Sequence, residues 1–324
     1  MDVRLAMMTL LSGEGTDETN ADIIRNLDDV SDSDIISMIE IMKRFMIPVQ
    51  IGDDSTIDMC GTGGDKLATF NISTAAAFVA AACGVSIAKH GNRSSSGGVG
   101  SVDILEMLGV DIYNMDAAGM LKEYNLCFLF AQRHHPAVRH VAGARRILDR
   151  RTIFNLLGPL CNPANVRCQL VGVSDDAMLH RIPRIMRGCG STRIMSVTSE
   201  NGMDELSVTS PGSICIYRND SMTTSHIHAR DLGVCESPLS DIIPDTRAES
   251  LEYFVKGISG SASDGIVNTT ALNAAAGMVV AGTVDTIPEG FDAAINVIKS
   301  GKALDVLYGF VGKFGDASVL EDMA

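Results

Sequence analysis

Residues 57–60 (IDMC) and 85–88 (VSIA) are short apolar runs separated by a glycine-rich loop and an alanine-rich stretch of helical length, 75–83. That alternation constrains the chain more than anything else in it. Runs of four residues are too short for a buried helix and suit a buried strand. A strand that returns after a helix pairs in parallel with its predecessor, because parallel neighbours need a crossover of a dozen or more residues. The pattern continues with a helix expected at 101–108, a strand at 110–113, a helix at 116–124 and a strand at Leu126–Phe130. His134-His135-Pro136 opens another helix, with proline suited to its first turn. Past a turn-rich segment at 155–163, strands are expected at 169–173 and 194–197 with a helix between them. The expectation is an α/β fold with a largely parallel central sheet.

The ends of the chain read as helical. In 32–45 the apolar residues Ile35, Ile36, Met38, Ile39, Met42 and Phe45 recur at helical spacing, residues 31–33 supply cap candidates, and Pro48 closes the element. A long Ala/Gly/Met helix is expected from 265 to 281, followed by two amphipathic helices, whereas 213–260 predicts no definite element.

Three polar loops interrupt the alternation within about forty residues. Gly61-Thr62-Gly63-Gly64-Asp65 lets the backbone approach a ligand closely and turn N–H groups toward phosphate oxygens. Asp65 can order that loop or meet a ribose. Asn71-Ile72-Ser73-Thr74 opens the alanine-rich helix, where cap side chains and unpaired N–H groups make an anion site. Residues 89–97 (KHGNRSSSG) are cationic and rich in hydroxyls, and Lys89 offers a point charge. Neither a Walker A lysine nor the dinucleotide spacing follows the first loop. Singly, these residues read as turns, caps or a surface lysine. Together and in order they outline a crevice for a phosphorylated ligand.

GTGGD, NxST and KHGNR, in this order, are joined by HPAVRHV at 135–141, RTIFNLLGPLCNPA at 151–164 and GMDELSVTSP at 202–211. Together these motifs resemble the anthranilate phosphoribosyltransferase family over most of the chain. The resemblance implies a nucleoside phosphorylase/phosphoribosyltransferase-type fold. It would have a small helical domain at 1–50, joined by helices from about 132–155, and an α/β domain at 51–324. It also implies a homodimer through the helical domain, with the chain starting late in the family's first helix. The implied reaction moves phosphoribose from phosphoribosyl diphosphate to anthranilate, releasing diphosphate, in tryptophan biosynthesis. Magnesium is the implied cofactor, with two ions per subunit.

Carried over position by position, the donor site takes Gly61, Gly63, Gly64, Asp65, Asn71, Ser73, Thr74, Lys89, His90, Gly91, Asn92, Arg93, Ser94, Ser95, Ser96, Gly97 and Ser101. Gly61, Asn92 and Arg145 match anthranilate contacts, and Ser73, Asp204 and Glu205 match metal ligands. Adjacent acids can address one site only from an irregular segment, which Gly202 allows. An arylamine is neutral near pH 7, so no residue is assigned as acid or base. Arg139, His140, Arg146, Arg150 and Arg151 read instead as a solvated helix face. Where the family carries a lysine and a serine, this chain has Gly98 and Val99.

Charge narrows the alternatives. Acids exceed bases, 40 against 26, for a net charge of −14, which argues against a nucleic-acid or membrane-surface binder. A non-catalytic nucleic-acid-binding relative is therefore disfavoured. A pyrimidine-nucleoside phosphorylase of the same fold is disfavoured by the acid pair and the KHGNR loop. Eight cysteines show no C-x-x-C pairing, and residues 1–4 lack a charged-then-apolar leader. A reduced cytoplasmic enzyme is the expectation.

Overall fold

The computed structural model describes residues 2–51, 55–65, 67–94, 98–321 and 323. Helices α1 (Val3–Ser12), α2 (Asp17–Arg25) and α3 (Asp32–Arg44) open the chain. Ser31 and Asp34 start α3 by exchanging hydrogen bonds: each side chain accepts from the other's backbone N–H, both at 3.2 Å.

The alternating middle builds the sheet. It runs β1 (Ile57–Gly61), α4 (Ile72–Ala82), β2 (Ile87–Gly91), α5 (Ser101–Met107), α6 (Ala117–Tyr124) and β3 (Leu126–Phe130). A single turn α7 (Ala131–His134), a 3-10 helix Pro136–Val141, α8 (Ala142–Leu148) and α9 (Ile153–Leu157) follow. Then come β4 (Cys168–Gly172), α10 (Asp176–Gly188), β5 (Arg193–Ser199), β6 (Gly212–Arg218) and β7 (Ser221–Ile227). Helices α11 (Arg247–Ser259), α12 (Asp264–Ala281), α13 (Ile287–Lys299), α14 (Lys302–Phe314) and α15 (Ser318–Glu321) complete the chain.

The seven strands lie in the order β3-β2-β1-β4-β5-β6-β7. The first five are parallel, and β6 and β7 add an antiparallel hairpin at one edge. Successive strand residues serve two cores, as the period of two requires. Ile57, Met59, Leu170, Met195 and Val197 join the core formed with α4 and α11–α14. Cys60, Val171, Ile194 and Cys215 face the other core, which contains residues of α1–α3 and α8–α10. Among the described residues no helix is long and apolar enough to cross a membrane, and all eight cysteines are free.

Three local expectations are corrected. The second strand covers Ile87–Gly91 rather than 85–88, because Ile87 to Gly91 pair in register with Leu126 to Phe130. Lys89 and His90 therefore sit inside a buried strand, not in the loop after it. Residues 110–113 form no strand. The Asp111 carboxylate accepts from Tyr113 N–H at 3.0 Å and from Asn114 Nδ2 at 2.6 Å, a local turn that competes with pairing. The helix expected at Pro136 begins as a 3-10 turn and becomes α-helical only at Ala142. The β6–β7 hairpin turns on Asn219 and Asp220, both left-handed with φ 53° and 58°.

Candidate active site

The sheet changes direction at β1: β2 and β3 build outward on one side and β4 and β5 on the other. In open parallel sheets such a switch point leaves a crevice beyond the carboxyl ends of the strands. Here β1, β2 and β4 end in Gly61, Gly91 and Gly172. The absent side chains leave room for an acid. A Cβ on Gly61 would lie 2.3 Å from Asp204 Oδ2, and one on Gly172 would lie 1.6 Å from the Asp204 carbonyl oxygen.

The 61–65 loop is held from several sides. Thr62 donates to the Gly172 carbonyl from its N–H at 2.8 Å and its hydroxyl at 3.1 Å. Gly63 N–H donates to Asp204 Oδ2 at 2.7 Å, and Ser174 Oγ to the Gly63 carbonyl at 3.2 Å. Gly63 and Gly64 adopt φ of 64° and 93°, which favour glycine.

Asp204 and Glu205 lie on an irregular segment after β5. Gly202 takes φ 89°, Asn273 of α12 exchanges hydrogen bonds with the backbone of Leu206, and Ser199 Oγ donates to the Glu205 carbonyl at 2.7 Å. Carboxylate oxygens of Asp65, Asp204 and Glu205 come within 4.8 Å of one another. Burial and the Asp204 charge push Asp65 up to about 7. Burial, with Asp204 and Asp65 beside it, drives Glu205 well above the usual carboxylate range. Glu205 Oε2 is buried with no hydrogen-bond partner among the described residues. Ser73 meets a cation instead: Lys89 Nζ donates to its hydroxyl at 3.1 Å.

Lys89 is only 2% exposed and also bonds the Met59 carbonyl. Burial lowers its pKa, opposed by Asp58 first and by Glu205 and Asp204 further off. Asp58, fully buried in β1, accepts from His90 N–H at 3.0 Å, and burial raises its pKa. The His90 ring lies tilted against that of His135, with centroids 5.2 Å apart. Burial, with His135 next to it, holds the ring neutral. His90 Nε2 lacks a hydrogen-bond partner among the described residues.

At the start of α4, Asn71 does not cap with its side chain. Its Nδ2 donates to the Val99 carbonyl at 2.9 Å, while its Oδ1 and the Thr74 hydroxyl are buried without partners among the described residues. Asp103 organises the loop after β2, accepting from Ser94 N–H at 2.9 Å and Gly100 N–H at 2.8 Å. Asn92 Oδ1 accepts from Arg93 N–H, and Ser101 Oγ approaches the Asn92 carbonyl at 3.5 Å. The Arg93 guanidinium forks onto Glu106 and lies over the Phe130 ring, 5.1 Å from its centroid. Gly91 sits against Ser101, whose Oγ would be 2.2 Å from an added Cβ. Ser95, Ser96 and Gly97 lie outside the described residues.

Arg145 of α8 is partly buried, and burial lowers its pKa. Its Nη2 donates to Asn155 Oδ1 at 3.2 Å. No carboxylate among the described residues forms an ion pair with it, which distinguishes it from Arg93 and Arg150. Arg151, expected on a solvated face, instead reaches the glycine loop and donates to the Thr62 carbonyl at 2.9 Å. Sequence reasoning missed Asp58, Arg151 and Asn155. An acid inside an apolar run was the available signal for Asp58. Asn155 acts through near neighbours in the chain, Arg145 and Thr152, and Arg151 through Thr62, far along the chain.

Comparison with known proteins places this chain in a class. Residues 53–304 match the glycosyl transferase family, a/b domain. The chain is 45% identical over its whole length to the anthranilate phosphoribosyltransferase of Nitrosopumilus maritimus, covering 94% of it. Among solved structures it is similar to the Thermus thermophilus anthranilate phosphoribosyltransferase, with TM-score 0.87 and 31% identity over 96% of this chain and 94% of that one. The Saccharomyces cerevisiae enzyme, solved in complex with PRPP and Mg, superposes with TM-score 0.84 at 25% identity over 97% and 92% of the two chains. The chain belongs to the anthranilate phosphoribosyltransferase family.

Proposed function

We propose that the protein transfers phosphoribose from phosphoribosyl diphosphate to the amine of anthranilate, releasing diphosphate, as a step of tryptophan biosynthesis. The observation that carries the reading is the cluster of Asp65, Asp204 and Glu205, three acids converging within 4.8 Å beneath a glycine loop. Three hard oxygen donors, one with an orphaned buried oxygen, suit magnesium. When bound, magnesium neutralises the diphosphate as it departs.

The chain's own residues do the rest. The Thr62 and Gly63 N–H groups are taken by Gly172 and Asp204, so the backbone N–H groups of Gly64 and Asp65 and of the α4 start face the donor's phosphates, with Ser73 and Thr74 supplying hydroxyls. Lys89, buried behind Ser73, places its amine under the site. Arg145 holds the anthranilate carboxylate, since a guanidinium without a carboxylate partner offers paired donors. Asn92 and the Gly61 backbone border the amine. The amine nitrogen supplies the electron pair for the new bond to C1. The bond from C1 to diphosphate breaks with its pair leaving on oxygen, and the surplus amine proton is lost. His90 lines the acceptor path as a neutral ring. Positioning and charge neutralisation lower the barrier.

Beyond the single cluster, we read two ions per subunit, with Ser73 joining the acids as a ligand. The helical region 1–50, with helices from about 132–155, acts as a small domain beside the 51–324 domain. Leu5 and Met8, 64% and 48% exposed on α1, support a homodimer through it. Free cysteines suit the cytoplasm. Phosphorus NMR of the purified protein tests the reaction. Inorganic diphosphate should appear only when anthranilate, the phosphoribosyl donor and magnesium are all present. Release without anthranilate, at the same rate, would overturn the reading.

A further inference from the structure

Residues 151–155 touch both the glycine loop and Arg145. At one end, Arg151 lays its guanidinium across the glycine loop. Its Nη2 donates to the Thr62 carbonyl at 2.9 Å, and a Cβ on Gly64 would fall 1.6 Å from its Nη1. Gly64 is therefore required twice, for its φ of 93° and for the room Arg151 occupies. At the other end, Asn155 Oδ1 accepts two hydrogen bonds. One comes from Thr152 N–H at 3.0 Å, which closes the turn at the start of α9. The other comes from Arg145 Nη2 at 3.2 Å. The turn is anchored from outside as well: Arg150 pairs with Asp28, between α2 and α3, and donates to the Arg151 carbonyl at 3.0 Å.

We propose that the 151–155 turn sets both halves of the site, with Arg151 positioning the donor loop and Asn155 positioning the acceptor's arginine. This rests on the functional reading above, in which the loop takes the phosphoribosyl donor and Arg145 the anthranilate carboxylate. Neither residue need touch a substrate. Arg151 holds Thr62 and covers Gly64, so the loop backbone at Gly64 and Asp65 keeps one direction. Asn155 fixes one branch of the Arg145 fork and leaves the other for a carboxylate. Fixing both from one short turn couples the distance between donor and acceptor to a single piece of backbone.

The signature is a split between residues four apart. Arg151→Ala should raise the KM for the phosphoribosyl donor about tenfold and leave that for anthranilate within about twofold. Asn155→Ala should do the reverse. Arg151→Lys keeps a donor for the Thr62 carbonyl and should recover most of the donor KM. Asn155→Asp keeps the accepting oxygen, so it should fold even where the alanine variant does not. Its charge occupies Arg145, and the anthranilate KM should again rise. Calorimetric titration of each substrate gives the same split independently of turnover. If wild-type protein turns over and binds both substrates but each variant changes both constants equally, or neither, the coupling proposal falls and the functional reading stands. If wild-type protein neither binds nor converts them, the functional reading falls, and this proposal with it.

Discussion

Gly172 lies against Asp204 so closely that a Cβ at position 172 would be 1.6 Å from the Asp204 carbonyl oxygen. The end of β4 and the acid-bearing segment after β5 are thus in backbone contact. That contact directs Asp204 to the 61–65 loop, where its Oδ2 accepts from Gly63 N–H at 2.7 Å. The placement of the acids depends on a missing methyl group.

Gly172→Ala should therefore push the 203–206 segment away from the loop. A displacement near an ångström costs on the order of a hundredfold in turnover. Gly312→Ala is the control. Nothing lies within 4 Å of a Cβ there, inside α14, so it should stabilise by about 0.5–1 kcal/mol with activity unchanged. Kinetics and thermal melts of the two variants check the contrast, and normal turnover in Gly172→Ala would contradict it.

The double substitution Asp204→Asn with Glu205→Gln removes both carboxylates but keeps the shapes. Loss of several kcal/mol of electrostatic stabilisation should lower magnesium-dependent turnover roughly a hundredfold or more. Anthranilate binding, measured by calorimetry, should stay nearly intact. Unchanged activity with unchanged magnesium dependence would make the pair a structural feature only.

Proton linkage gives a third test. Asp65 is pushed up to about 7 from 3.8, chiefly by burial and then by Asp204. A carboxyl whose folded pKa is raised contributes stability that is fully present below about pH 4 and is lost as pH rises through about 7. Magnesium bound at these acids would require them deprotonated and would relieve their repulsion. The rise in Tm on adding magnesium should be larger at pH 8 than at pH 6. Equal increments would mean that Asp65 does not belong to the metal site.

Arg145→Ala removes a half-buried guanidinium that lacks a carboxylate partner among the described residues. Losing a charge-assisted contact costs about 1.5–3 kcal/mol, a rise of roughly ten- to a hundredfold in the anthranilate KM. The donor KM should move much less. Steady-state kinetics with each substrate varied in turn would show this, and equal rises in both would indicate general disorder.

The parallel strands and the long helices were legible because burial writes itself as local periodicity. Ile57–Gly61, Leu126–Phe130 and Asp264–Ala281 all lie within a few residues of where the pattern puts them. The shift of β2 to Ile87–Gly91 was not legible, since a lysine and a histidine inside a strand contradict local polarity. On the neighbouring strand β1, the Met59 carbonyl accepts from Lys89 Nζ and the Asp58 carboxylate from His90 N–H. Residues 110–113 look like a strand because Val110 and Ile112 are buried, yet the Asp111 side chain takes up the backbone locally. The β6–β7 hairpin was obscured because β7, exposed at six of its seven positions, lacks apolar alternation. At the site, glycines and hydroxyls near one another in sequence could be read. Contacts such as Arg151 with Thr62 depend on where separate loops meet in the fold.

The most direct test of the central claim is anthranilate fluorescence. With purified protein, phosphoribosyl diphosphate and magnesium, the signal should fall with time and should stop falling when magnesium is chelated. A signal that stays constant under these conditions, with the same preparation cleaving thymidine or uridine in the presence of phosphate, would contradict the assignment.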